Sequence, residues 1–146
     1  MFVSKVLVFL QFLFLLLMFL PYKVMQSAEL WVPSLISFAS ALSILIWTSL
    51  HNRPGNFNIV PEIKEGCVFI QTGPYHFIRH PMYSSVILIA ISALLYSFAL
   101  WKLGALGIFI FVLYLKAKRE EGFWCKKTSE YRAYQEKTKM FIPFVL

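Results

Sequence analysis

WVPSLISFASALSILIWTSL, Trp31 to Leu50, runs for twenty residues without a charged side chain. That is the length a helix needs to cross a hydrocarbon layer, about 20 residues at 1.5 Å each. Three more apolar runs share its character: Val6–Leu20, interrupted only by Gln11, then Ser84–Leu100 and Leu103–Leu115. Hydrocarbon offers no partner for a free backbone N–H or C=O, so such runs are satisfied as helices. With 59% hydrophobic and 14% charged residues among 146, the chain reads as an all-α integral membrane protein with four transmembrane helices. The last run is short, but Trp101 before it and Lys116 and Lys118 after it sit well at the interfaces. The first run, preceded by Lys5, is read as a membrane helix and not a cleaved leader, because Pro21, Tyr22 and Lys23 follow it directly and Gln26-Ser27-Ala28 is a poor cleavage site.

Charge orients the bundle. The loop after the first helix carries Lys23 and the loop after the third carries Lys102, whereas the middle loop holds Arg53, Lys64 and Arg79 and the tail holds eight Lys and Arg. Both termini are therefore expected in the cytoplasm. The net charge of +7 attracts anionic lipid, not nucleic acid, because acids and aromatics interrupt the basic tail beside a membrane. Cys67 and Cys125 fall on the cytoplasmic side, where no disulfide is expected; His76 and His80 stand four apart, but with no further cysteine or histidine close by in the chain apart from Cys67 and His51 no metal site is expected. The chain is treated as one domain, 1–146, with two N-terminal helices in 1–50 and the chemistry in 51–146. That chemistry lies in the loop from His51 to Met82 and the tail from Lys116.

Within the loop, Gly73-Pro74-Tyr75-His76-Phe77-Ile78-Arg79-His80-Pro81-Met82-Tyr83 sets cations and phenols at the lip of an apolar run, a costly placement that marks a binding site. In the tail, Lys116 to Glu121 is expected to continue the fourth helix beyond the membrane, since nothing breaks it before Gly122; Lys116 and Glu120 share a face. Tyr131 and Tyr134 share another and are read as packing residues, and Phe141-Ile142-Pro143-Phe144 as an apolar segment that folds back.

The ordered set Asn56-Phe57-Asn58, Gly73-x-Tyr75-x-x-x-Arg79-His80-Pro81-x-Tyr83, Glu120-Glu121, Glu130-Tyr131-x-x-Tyr134 and Ile142-Pro143 resembles the isoprenylcysteine carboxyl methyltransferase family and its phospholipid methyltransferase relatives. The resemblance runs from Asn56 to Pro143. It implies a membrane enzyme that uses S-adenosylmethionine, enclosed by the loop, the last helical hairpin and the tail. Cofactor-contacting positions of the family fall on Cys67, Val68, Phe69, Ile70, Tyr75, His80, Pro81, Met82, Tyr83 and Glu120, and His80 and Glu120 are expected to face each other across the cofactor. Catalytic roles fall on Arg79, Lys116, Glu120 and Glu121. Three departures stand out: Glu62 replaces the family's Gln, Ser85 a common Gly, and Lys116 the substrate-binding Arg, which keeps the charge but loses the bidentate fork.

The acceptor is then a lipophilic, membrane-resident molecule. A carboxylate, with a pKa near 4, is already ionised at neutral pH, whereas a lipid amine with a pKa near 10 needs a general base such as Glu120 or Glu121. Lys116 attracts the first and repels the second, which favours carboxyl O-methylation over phospholipid N-methylation. A sterol-reductase-like oxidoreductase would need more phosphate-binding cations than Arg79, and a non-catalytic membrane protein leaves the ordered polar set unexplained.

Overall fold

A computed structural model describes residues 2–22 and 28–143. Lys23, Gln26, Ser27 and Phe144 lie outside the described residues. Five α-helices follow in order: α1 Phe2–Phe19, α2 Ala28–His51, α3 Pro81–Tyr96, α4 Leu100–Lys127 and α5 Glu130–Lys137. Among the described residues the β-type pairing is a single parallel bridge between Ile78 and Lys139. Helices α1, α2 and α4 are long and apolar enough to cross a membrane; α3 is apolar but only 16 residues long.

The two main packing partnerships are α2 with α3 and α1 with α4. Ser34, Ser37, Ala41 and Thr48 form a small-residue stripe on α2. Ser34 Oγ donates to the Ser92 carbonyl and Ser37 Oγ to the Leu88 carbonyl, both at 2.9 Å. Small side chains let the backbones approach, and the hydroxyls tie them, which is how helices associate where water supplies no hydrophobic drive. The opposite face of α2 turns Leu35, Ile36, Ile46 and Leu50 outward, as a lipid-facing surface requires. Between α1, α3 and α4 the core is Met18, Ala90, Ala93, Ala105, Phe109 and Leu113.

The charged boundary residues gather at one end. Arg119 Nε donates to Ser4 Oγ at 2.9 Å, and Ser4 Oγ in turn donates to the Glu62 carboxylate. The start of α1, the long loop and the end of α4 therefore meet, and Glu62 is part of that joint. Gly122 does not stop α4 as expected: the helix continues to Lys127 and ends at Thr128, in extended conformation. One helical glycine costs only about 1 kcal/mol relative to alanine. Trp124, a half-turn beyond, repays it by stacking on Tyr131 at 6.1 Å with rings 13° from parallel.

Candidate active site

The loop from His51 to Met82 holds its shape through side chains that imitate backbone. After the turn Pro54–Asn56, the Asn56 amide donates to the Val68 carbonyl at 2.8 Å and accepts the Val68 N–H at 2.9 Å, as a neighbouring strand would. Lys64 Nζ donates to the Phe57 carbonyl at 2.9 Å. At the second turn, Gly73–His76, Gly73 has φ +61°, and a Cβ there would stand 2.4 Å from the His51 ring at the end of α2. Only glycine meets both demands. From this turn the chain runs beside the tail: Arg79 N–H donates to the Lys139 carbonyl at 2.8 Å and His80 N–H to the Met140 carbonyl at 3.1 Å. Pro81 then opens α3, where a missing N–H costs nothing.

That junction delivers Arg79, His80 and Tyr83 to the two glutamates of α4. Arg79 Nε donates to Glu121 Oε1 at 2.6 Å, while its Nη1 donates to the carbonyls of Gln135, at 3.1 Å, and Thr138. Gln135 Nε2 adds a bond to Glu121 Oε2 at 2.9 Å. Glu121, 2% exposed, is thus fully occupied with holding α5 and the tail onto α3. Glu120 points elsewhere: it accepts the Tyr83 hydroxyl at 3.0 Å, and its side chain keeps 30% exposure. His80 bridges the two, with Nε2 3.3 Å from Glu121 and Nδ1 3.8 Å from Glu120. Its ring stacks on Tyr83, 5.3 Å apart and 4° from parallel. At that separation His80 and Glu120 form one wall, not opposite walls with a cofactor between them.

The wall borders a cleft of about 700 Å³, its open mouth included. Val68, Phe69, Ile70, Tyr75, Arg79, His80, Pro81, Met82, Tyr83 and Glu120 all line it. The remaining three predicted residues do not. Cys67 turns its Sγ toward the Gly55 carbonyl at 3.7 Å, and its own carbonyl accepts Lys127 Nζ at 2.9 Å. Glu121 lies behind the wall. Lys116, 2% exposed, donates to the Gln11 side chain of α1 and sits 5.2 Å from the Tyr83 ring centre.

Aromatic side chains close the other side. Phe69 packs on Trp124, Tyr131 and Tyr134 with ring centres 5.6, 5.3 and 5.0 Å away. The Tyr134 hydroxyl donates to the Tyr75 carbonyl at 2.5 Å. Burial, with the nearby Glu120 carboxylate as a second cause, holds the Tyr75 phenol well above its ordinary value, and burial does the same for Tyr134. The cleft also uses Asn52, Asn58, Trp124, Tyr131 and Tyr134, none of them assigned to the site from sequence. Asn58 was in plain view beside Asn56, but nothing local marks Trp124, which reaches the cleft only because α4 runs on past Gly122.

Compared with known proteins, residues 35–122 match the model of the isoprenylcysteine carboxyl methyltransferase family. The chain belongs to this family. The match covers more than half of the chain, from within α2 to the last turns of α4, and so contains Glu120 and Glu121 and every cleft residue before them. Membership of the isoprenylcysteine carboxyl methyltransferase family makes the chain a membrane methyltransferase. It stops short of α5 and the tail, whose place in the site rests on the Arg79, Gln135 and Tyr134 contacts described above. No curated protein matches the chain.

Proposed function

We propose that the protein transfers a methyl group from S-adenosylmethionine to a carboxylate on a membrane-resident, lipophilic acceptor. The observation that carries this reading is the meeting of Glu120, His80 and Tyr83 on one wall of a cleft whose other wall is aromatic. S-adenosylmethionine is a flat adenine joined to a cationic sulfonium, an ammonium and a carboxylate. The donor set suits it: Phe69 and Trp124 offer apolar faces to a flat base, and Glu120, the acid lining the cleft, keeps an open side for a cation. When bound, the cofactor supplies an electrophilic methyl group.

The chain's own residues bind, orient and exclude water. Tyr83 fixes the Glu120 carboxylate, and His80 is locked between Glu120 and Glu121. Arg79 and Glu121 act as positioning residues: their tie holds α5 over the cleft. Methyl transfer to an ionised carboxylate asks for nothing beyond positioning and a dry site, because no proton has to leave. An amine acceptor would need a base, and Glu120, the acid lining the cleft, is committed in this reading to the cation of the cofactor. Lys116 lies off the cleft, against Gln11 and 5.2 Å from the Tyr83 ring centre, so the preference for an acidic acceptor rests on the proton balance and not on this cation. The excess of Lys and Arg in the middle loop and tail assigns the cleft end to the cytoplasm, where a soluble cofactor enters.

The decisive experiment incubates the purified protein and a native membrane extract with methyl-labelled S-adenosylmethionine. Label in the lipid fraction that mild base releases as volatile methanol, as from a methyl ester, is the expected result. Label that stays non-volatile after base would transfer the acceptor to an amine, and no label from a folded protein would remove the reading.

A further inference from the structure

A second polar site lies at the far end of α4. Lys102 is separated from Glu120 by eighteen residues of one helix, about 27 Å at 1.5 Å per residue, close to a full hydrocarbon thickness. Its side chain is completely buried, and its Nζ has no hydrogen-bond partner. Ser97 Oγ, in the turn that leads into α4, is likewise buried without a partner. These two are the unpartnered buried polar side-chain atoms among the described residues.

The local electrostatics deepen the mismatch. Lys102 stands in the first turn of α4, where the helix dipole already presents positive charge. That turn carries no acidic residue, and its N-cap, Ala99, offers no side-chain bond to the free N–H groups. The Lys102 ammonium lies over the Trp101 ring, 5.7 Å from its centre, but has no anionic partner at the positive end of an uncapped helix; a single anion would answer the ammonium, the hydroxyl and the dipole together.

Lys102 and Ser97 border a groove of about 1230 Å³, mouth included, between α1, α2 and α3. Its other walls are mainly apolar and aromatic: Phe19, Trp31, Leu35, Phe38, Ile89 and Tyr96. Polar groups that call for an anion thus sit beside a lipid-sized apolar trough at a membrane boundary. We infer that this groove is a binding site for an anionic phospholipid, with an acyl chain along the groove and the headgroup phosphate beside Lys102 and Ser97, whose covered polar ends turn outward to meet it. The site is separate from the methyl-transfer cleft and does not depend on the reading of that cleft.

Thermal unfolding of the full chain in an uncharged detergent tests it, with dioctanoyl phosphatidylglycerol, dioctanoyl phosphatidylcholine or inorganic phosphate added to wild type and Lys102→Met. Wild type should gain stability with phosphatidylglycerol in a dose-dependent way. Lys102→Met, which removes an unpaired cation while keeping an apolar side chain of similar length, should weaken that binding by about tenfold or more. Its lipid-free melting should not fall. Lys102→Gln serves as the second variant if the methionine chain is not recovered folded. Equal stabilisation by the two lipids overturns the site, as does a phosphatidylglycerol effect that survives undiminished in both variants, which would assign it to the basic tail. Stabilisation by inorganic phosphate equal to that by the lipid, and lost in the variants, overturns the lipid in favour of a soluble anion.

Discussion

Glu120 and Glu121 are neighbours in sequence with opposite surroundings, because one residue turns an α-helix by about 100°. Glu121 is sealed among Arg79, His80 and Gln135, whereas Glu120 opens on the cleft. Their neutral variants should therefore separate stability from binding. Glu121→Gln leaves the guanidinium of Arg79 buried without its counter-charge and should lower unfolding stability by about 3 kcal/mol. Glu120→Gln should change stability by less than about 1 kcal/mol, yet weaken S-adenosylmethionine binding by about tenfold to a hundredfold. Melting curves and calorimetric titration of both variants check this; the reverse pattern would exchange the two roles. The sequence put both acids and Arg79 in the site, but their division of labour was illegible, since it depends on where α5 docks.

The elements that shape the site are short and rely on specific contacts. The turn at Gly73 brings the loop against α2 so closely that a methyl group would overlap His51. Gly73→Ala should thus cost at least about 2 kcal/mol, the sum of a left-handed backbone that alanine resists and the clash itself. Adding His51→Ala relieves the clash and leaves the backbone strain, so the double variant should recover part of the loss in thermal unfolding; no recovery would show that the close approach is unimportant. The apolar runs predicted the helices well, because hydrocarbon imposes helix on any long apolar segment. The exact extents were less legible. Helix α3 begins at Pro81, a residue suited to a first helical turn, whereas α4 extends to Lys127, where the contact of Trp124 with Tyr131 lies beyond local composition.

At the scale of the whole molecule, the start of α1, the loop and the tail share one end of the bundle, and Lys102 with the Ser97 turn marks the other. From the charge bias we propose that the first end faces the cytoplasm. Single-cysteine chains, with Cys67 and Cys125 changed to Ser, report this directly. A membrane-impermeant maleimide should label Phe98→Cys in intact cells and should reach Phe2→Cys and Glu136→Cys only after lysis. Labelling of Glu136→Cys before lysis, with Phe98→Cys protected, would invert the protein and place the cleft outside.

By itself the sequence determined the class of the protein, its helical runs and the ordered polar set that marks the site. These are local properties: an uncharged run must hydrogen-bond to itself in lipid, and ionisable groups beside it must serve a use. Only the tertiary structure decided which groups face the cleft and which hold it together. Arg79 finds the carbonyls of Gln135 and Thr138, Tyr134 finds Tyr75, and Lys116 finds Gln11 on the first helix. Each of these choices joins residues more than fifty positions apart, where the packing of helices, not the identity of neighbours in the chain, sets which partner lies within reach.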